Sequence, residues 1–450
     1  MKIRFYVLQF CVALLYVLTF SYCYVAYLNV YWDYMGYDLF ARTPAFLVTS
    51  VLIATLPSLS HRGARAVSSS LSVFIYSLLY VPIIMTFAFG SKRPPEQILI
   101  LQLTFMASMC LLFLSDLLVF RSPLYLHTKF DLMQVVFGLT AAFTLYVLFV
   151  YRSNLRFVST FDEAIYELRF ANRDLGQSLL TRYGVAWLTS VWIPLCLAYG
   201  LTRRKLVPFL LGTGACVAIY MAIAAKSVIL LPVIYALVWG LLSQGRLNRL
   251  FALFVGSLGA FAGLLTLVAK PGSLGFSAGS IVLARTIGNG GQITMMYDDF
   301  FATHAHTNFT HLNVVQALTH AYPYGNLGVG QVVGQYYYSL QMNANANFWA
   351  TDGLAALGLI GIPVASMLCA LLFVGVNSVT RGYNQMFVML SFLPFMLMLL
   401  NTSLMSSIWS GGAFFLFLFF LFNRPPADIS ESQTQKLPAT TPLPRPSSQI

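Results

Sequence analysis

Twelve apolar runs dominate this chain, each long enough, or nearly so, to cross a bilayer as a helix. A hydrocarbon core offers no partner to backbone N–H and C=O groups, so a crossing segment must pair them internally, which takes about 20 helical residues. The runs fall near 5–28, 44–60, 66–89, 98–120, 131–151, 183–201, 206–225, 227–243, 250–269, 354–377, 383–400 and 404–422. Only Lys226 separates 206–225 from 227–243, and it reads as the tip of a tight hairpin. With 58% hydrophobic and 9% charged residues and a mean hydropathy of +0.75, the chain is too apolar for an ordinary soluble domain. The expected fold is all-α, a polytopic membrane protein with about 12 transmembrane helices.

Charge gives that bundle an orientation. With the N-terminus inside, the inner loops collect 15 basic and 4 acidic residues, and the outer side keeps 11 basic and 10 acidic ones. Nearly all of the net +12 then lies on one side, and the positive-inside rule puts both termini in the cytoplasm. The basic clusters are short and scattered between runs, where orientation and anionic headgroups account for them, so nucleic acid is not an expected partner and membrane lipids are. All six cysteines fall inside the runs with no CxxC spacing; they read as small apolar residues, not as disulfides or zinc ligands. The first run has a long apolar stretch without a small-x-small cleavage pattern and reads as a retained span.

The expected organisation is spans one to five over 1–151, an outer amphipathic helix over 152–182, spans six to nine over 183–269, a large outer loop over 270–353, spans ten to twelve over 354–422, and a Pro-, Ser- and Thr-rich disordered tail over 423–450. In the first outer segment, Thr160 to Glu163 fits a capping box, and Phe157, Phe161, Ile165, Leu168, Leu175 and Leu179 recur at helical spacing. That helix either lies along the membrane surface or braces the bundle. Repeated glycines punctuate the second outer segment, which reads as short helices, Ile281–Arg285 and Ile293–Phe301 among them, joined by loops.

The second segment also holds most of the groups able to do chemistry. Arg285 has apolar neighbours and no acidic residue within a turn, so it suits either a phosphate, gripped by two parallel hydrogen bonds, or an interfacial position with its head among lipid headgroups. Lys226, on the outer side against the charge bias, is a second candidate phosphate ligand. His304, His306 and His311 supply imidazoles able to take a proton from a sugar hydroxyl near neutral pH, with Asp298 or Asp299 as orienting partner or substitute. A metal held by His304, His306, Asp298 and Asp299 is the rival reading, but HxH spacing is a weak metal signal. No metal or other cofactor is therefore expected. Tyr297, Asn345, Asn347, Trp349 and Asp352 form a candidate sugar-binding set, since amides beside flat aromatic rings match both the hydroxyls and the C–H faces of a carbohydrate. An aromatic belt with asparagines at turns and caps is the plainer alternative. Asp33 and Asp38 in the first outer loop are a competing carboxylate centre.

The residues Ala225-Lys226-Ser227, Arg285 and Asn347-Phe-Trp-Ala-Thr-Asp352-Gly353-Leu-Ala-Ala-Leu-Gly358-Leu-Ile-Gly361 carry a resemblance over the region 226–361. The chain resembles the Wzy-type oligosaccharide repeat-unit polymerases of bacterial O-antigen and capsule pathways, which are similar in architecture to the O-antigen ligases. The resemblance implies a GT-C-like helical fold in the bacterial inner membrane. It implies metal-independent transfer, on the periplasmic face, of a growing glycan from undecaprenyl pyrophosphate to an incoming lipid-linked repeat unit. Lys226 and Arg285 match the positions that hold the pyrophosphate, and a chain-length regulator and a flippase would be the protein partners. Asn347-Phe348 stands where a ligase-like His-Asn pair would be, which leaves the base open among the histidines and aspartates. Two other readings stay open: a GT-C transferase using a polyprenyl-phosphate sugar with Asp33 or Asp38 central, and a flippase or permease, which would carry polar groups within its spans.

Overall fold

The computed structural model describes residues 2–64, 66–118, 126, 131–158, 164–172, 175–176, 178–243, 246–339 and 342–423. The capping box expected at Thr160–Glu163 and the expected tail from 424 onward lie outside them. Among the described residues the protein is all-helical and has no strand. In chain order the main helices are α1 (Ile3–Met35), α2 (Pro44–Ser60), α3 (Val67–Gly90), α4 (Pro95–Leu117), α5 (Leu132–Val150), α6 (Ala164–Asn172), α7 (Leu179–Thr202), α8 (Leu206–Ile223), α9 (Lys226–Leu242) and α10 (Leu250–Val268). They continue as α11 (274–301), α12 (Asn313–Thr319), α13 (Val329–Tyr337), α14 (Trp349–Val379), α15 (Gln385–Leu399), α16 (Leu404–Trp409) and α17 (Ala413–Phe422). Eight of them, α1, α3, α4, α5, α7, α8, α10 and α14, are long and apolar enough to cross a membrane; α2, α9, α15 and α17 are shorter apolar helices. The protein is thus a polytopic membrane protein.

Side chains at the helix starts take up the backbone donors that no helical turn can satisfy. Thr43 caps α2 ahead of Pro44, Asp131 caps α5 by accepting from the Met133 amide at 3.0 Å, Ser178 caps α7, and Asn384 caps α15. The organising helix is α3, which is buried along its whole length and packs against α1, α2, α4, α10, α11, α14 and α15. Its serines find partners within the bundle: the Ser72 hydroxyl donates to the Leu112 carbonyl at 3.1 Å, and the Ser69 hydroxyl to Asp116 at 3.1 Å.

Two sequence expectations are revised, and one open alternative is narrowed. The glycines of the second outer segment do not break it into short pieces at its start; 274–301 is one continuous helix, with a π-helical stretch at Ser280–Gly288. Glycine lets α11 lie directly on α3: a Cβ at Gly291 would stand 2.6 Å from the Pro82 carbonyl oxygen. Of the two readings of the 152–182 segment, packing favours the brace: Ile165 and Leu168 of α6 are buried in one cluster with Ala224. Asn172 donates to the Ala222 carbonyl at 2.6 Å and the Tyr220 hydroxyl to the Val158 carbonyl at 2.7 Å, so the segment braces the α8–α9 corner. Finally, α14 begins at Trp349, which puts Asp352 and Gly353 inside a buried helix and not in the loop before it. That helix breaks at Gly358, whose φ of +63° an L-residue rarely adopts, and the chain folds back so that Gly361 rests on the Gly353 carbonyl.

Candidate functional site

Where α3 ends at Gly90, a short link leads to α4, and it is held tightly from the loop after α1. The Phe40 amide donates to the Phe89 carbonyl at 2.9 Å, and Arg42 donates to the carbonyls of Ala88, at 3.3 Å, and Ser91. The Ser91 hydroxyl accepts from the Arg93 amide at 3.2 Å. This fixes the root of Arg93, whose Nε lies 2.8 Å from Asp298 Oδ2 and whose Nη2 donates to the Asp298 carbonyl at 3.1 Å. Asp298 is 6% exposed, near the C-terminus of α11. Burial pushes its carboxyl up to about 7; Arg93 pulls it down, and Asp299 pushes it up again. Asp299 is raised as well, by burial first, with Arg93 and Lys92 opposing.

Arg93 and Asp298 line a cavity of about 400 Å³ together with Gln97 and His306, and its remaining walls come from α4, α11 and the Gly358 corner. His306 is exposed and lies parallel to Phe301 at 6.0 Å, and its Cε1 is 3.1 Å from where a Cβ on Gly358 would stand. A cation, a carboxylate able to hold or release a proton near neutrality, and an imidazole therefore face one space.

The loop that carries His306 is pinned to α14. The amides of Thr307 and Asn308 donate to the carbonyls of Ala355 and Ala356 at 2.7 and 3.0 Å, taking up acceptors freed by the helix break. His311 lies with Nε2 3.3 Å from Asp352 Oδ1 and Nδ1 2.9 Å from the Thr307 hydroxyl, and Asp352 Oδ2 accepts from the Leu404 amide at the start of α16. With both ring nitrogens engaged and its side chain buried, His311 holds the loop in place; Asp352, fully enclosed, does not face a sugar. His304 stacks on Phe300 at 4.0 Å with Nδ1 2.9 Å from the Phe300 carbonyl oxygen, and it lies outside the cavity wall.

The proposed sugar-binding set is mostly internal. Tyr297 is buried and donates to the Ala344 carbonyl at 3.0 Å, and Trp349 is buried and donates to Ser366 at 2.7 Å. Asn347 is buried; its oxygen accepts from the amides of Trp349 and Ala350 at 3.0 and 3.1 Å, and its nitrogen donates to Thr294 at 2.7 Å. These three act as cap and core, while Asn345 is exposed. Asn347→Ala removes a helix cap and strands buried partners, so it should cost about 2 kcal/mol of stability, whereas Asn345→Ala should cost almost nothing. Thermal unfolding of the two detergent-solubilised variants checks the contrast.

Lys226 and Arg285 are both exposed, and neither is ion-paired among the described residues. Arg285 shares α11 with Asp298 but precedes it by 13 positions, about 20 Å along a helix axis. Ile281, one turn before it, is 52% exposed, the setting of an interfacial arginine. Lys226 opens α9, which packs on α8, α7 and α15, at the corner that α6 braces. The cavity thus gathers Asp298 and His306 of the sequence candidates, while Asp299, Arg285 and Lys226 do not line it. Asp33 is exposed in the loop after α1, and Asp38 lies 4.0 Å from Lys92. Among the described residues no group of three or more metal-type ligands is present.

Sequence reasoning passed over Arg93. Its signal was in view: Lys92-Arg93 is a basic pair on the side expected to be outer, against the charge bias, the argument applied to Lys226. No known protein family, curated protein or solved structure matches the chain.

Proposed function

We propose that this protein is a glycosyltransferase of lipid-linked oligosaccharides, a repeat-unit polymerase that moves a growing glycan from undecaprenyl pyrophosphate to an incoming lipid-linked unit. The finer parts of this reading are twelve membrane crossings in a GT-C-like bundle, cytoplasmic termini, and an inner-membrane protein of bacterial surface-polysaccharide synthesis. The observation that carries it is the cavity where Arg93, Asp298 and His306 meet beside the outer loop of an otherwise apolar bundle.

In this mechanism a hydroxyl oxygen of the acceptor sugar attacks the anomeric carbon, and the bond from that carbon to the pyrophosphate oxygen breaks, its electron pair leaving with the pyrophosphate. Charge then grows on the leaving group, and a fixed guanidinium stabilises it through charge-assisted hydrogen bonds. Arg93 takes that role. The hydroxyl proton passes to the Asp298 carboxylate, with His306 as the second acceptor within the same cavity. Lys226 and Arg285 serve as outlying cations that attract the anionic substrate to the outer face.

The test is elongation of purified lipid-linked repeat units by the protein in nanodiscs. A base must be ionised to work, so the rate should rise with pH through about 7 as Asp298 loses its proton, and Asp298→Asn should be slow with that inflection gone. Absence of elongation with every lipid-linked saccharide offered ends the reading; wild-type elongation by Asp298→Asn that is lost in His306→Ala moves the base to His306.

A further inference from the structure

We propose that α12 (Asn313–Thr319) is an in-plane membrane helix: it lies at the boundary between lipid and water, sinks Val314 and Leu318 among the acyl chains, and fastens the loop that carries His306 to the bilayer surface. The inference does not depend on any reaction at the Arg93 cavity.

The sequence around α12 avoids charge. From residue 300 to residue 351 there is no Lys, Arg, Asp or Glu. A stretch of that length would carry about 13 at the usual one residue in four, and roughly five even at this chain's own 9%. Yet the stretch is far from buried: α12 shows most of its residues to the outside, and further on Tyr336 is 60% exposed and Tyr337 37%. Exposed, uncharged and rich in tyrosine is the composition of a membrane interface.

The helix itself has three faces. At about 100° per residue, Val315 and Gln316 point one way and are half-buried against the protein. Asn313 and His320, at the two ends, share a second direction and are exposed. Between those two sectors Val314, Ala317 and Leu318 form an apolar stripe, with Val314 74% and Leu318 80% exposed. A helix bathed only in water has no use for such a stripe. One lying in an interface has protein on one side, lipid on the next and water on the third, which is the order of these faces.

The height of α12 agrees. Beyond the Gly358 corner, Gly361–Val379 runs for 19 residues, about 28 Å, which matches a hydrocarbon core of about 30 Å and puts Gly361 at its edge. At that edge Ile360 is 71% exposed and Leu359 41%, and on a membrane helix lipid covers such side chains. The His306 loop is tied to the same level through Ala355, Ala356 and the His311–Asp352 contact. Since α12 starts two residues after His311, only about 7 Å of chain separates them. Lipid that covers Ile360 therefore continues onto Val314 and Leu318. A second copy of the chain is a poorer occupant, because a stripe of three small and medium side chains falls far short of the roughly 800 Å² per partner that a stable interface buries.

The test uses the full-length protein in phosphatidylcholine nanodiscs, with the exposed Cys11 and half-buried Cys110 replaced by alanine and an NBD fluorophore placed on Leu318→Cys or, separately, on Asn313→Cys. The label at 318 should be quenched by lipids with a nitroxide high on the acyl chain and protected from aqueous iodide, and the label at 313 should show the reverse. Equal iodide quenching at both positions places α12 in water. Protection of 318 from both quenchers means that protein, such as a second copy, covers it; either result overturns the proposal. Hydrogen exchange gives a second measurement. Val314→Gln with Leu318→Gln keeps helix propensity, touches only exposed positions, and should speed exchange of the α12 amides by about tenfold or more as the lipid contact is lost. Unchanged exchange in that pair would mean that nothing covers the stripe, and the proposal fails.

Discussion

On the proposed glycosyl transfer, Arg93→Ala should lower glycan elongation by about 10²- to 10³-fold, the loss found when one fixed donor to a developing negative charge is removed. Two effects combine in this variant. The leaving pyrophosphate loses its cation, and Asp298 loses the one group that holds its carboxyl down against burial, so more of it is protonated at neutral pH and unable to accept a proton. The rate loss should accordingly shrink at higher pH, where Asp298 ionises regardless. Arg93→Lys keeps the charge but not the fork, and falls between. Arg285→Ala and Lys226→Ala should each cost about tenfold or less, as removal of a surface cation affects encounter more than the bond-breaking step. Steady-state elongation with the purified variants measures all four. A drop with Arg285→Ala as large as that with Arg93→Ala would return the pyrophosphate to Arg285.

Much of the fold was legible because the bilayer imposes one rule that sequence displays directly. A run of apolar residues must be helical to bury its backbone, and the runs fall on helices, eight of them long and apolar enough to cross, whereas the run 404–422 is split into α16 and α17. What hydropathy does not encode is which apolar helix is central. The α3 run looks like its neighbours in sequence, yet it alone is wholly buried, and its serines are paired inside the bundle. The same limit misled the reading of Tyr297, Asn347 and Trp349. An aromatic or amide side chain beside a polar stretch looks alike whether it faces a ligand or completes a core, and here Thr294, Ala344 and Ser366 supply the partners from elsewhere in the chain. Arg93 stayed hidden for a related reason: its partner Asp298 is 205 positions away, and no local pattern reports a contact across that separation. The histidines, by contrast, were visible as a cluster, but only geometry divides them into His306 at the cavity, His311 in the pin to α14, and His304 stacked on Phe300.

Gly361→Ala should be among the most damaging single substitutions in the chain, with a loss of about 3 kcal/mol or more and poor recovery of folded protein. A Cβ there would lie 2.0 Å from the Gly353 carbonyl oxygen and 2.6 Å from its carbon, and backbone on both sides cannot rotate away as a side chain can. The Gly353→Ala change on the facing residue meets only contacts of 3.3 Å or more and should be milder, and Gly138→Ala, with open space around it, should be neutral or slightly stabilising in its helix. Gly358→Ala tests function more than stability: its positive φ costs about 1–3 kcal/mol, and the new methyl presses on the His306 ring. Thermal unfolding of the four variants in detergent, with elongation measured on those that fold, separates the two roles. If Gly361→Ala unfolds like the wild type, the fold-back at Gly358 does not press the Gly361 and Gly353 backbones together.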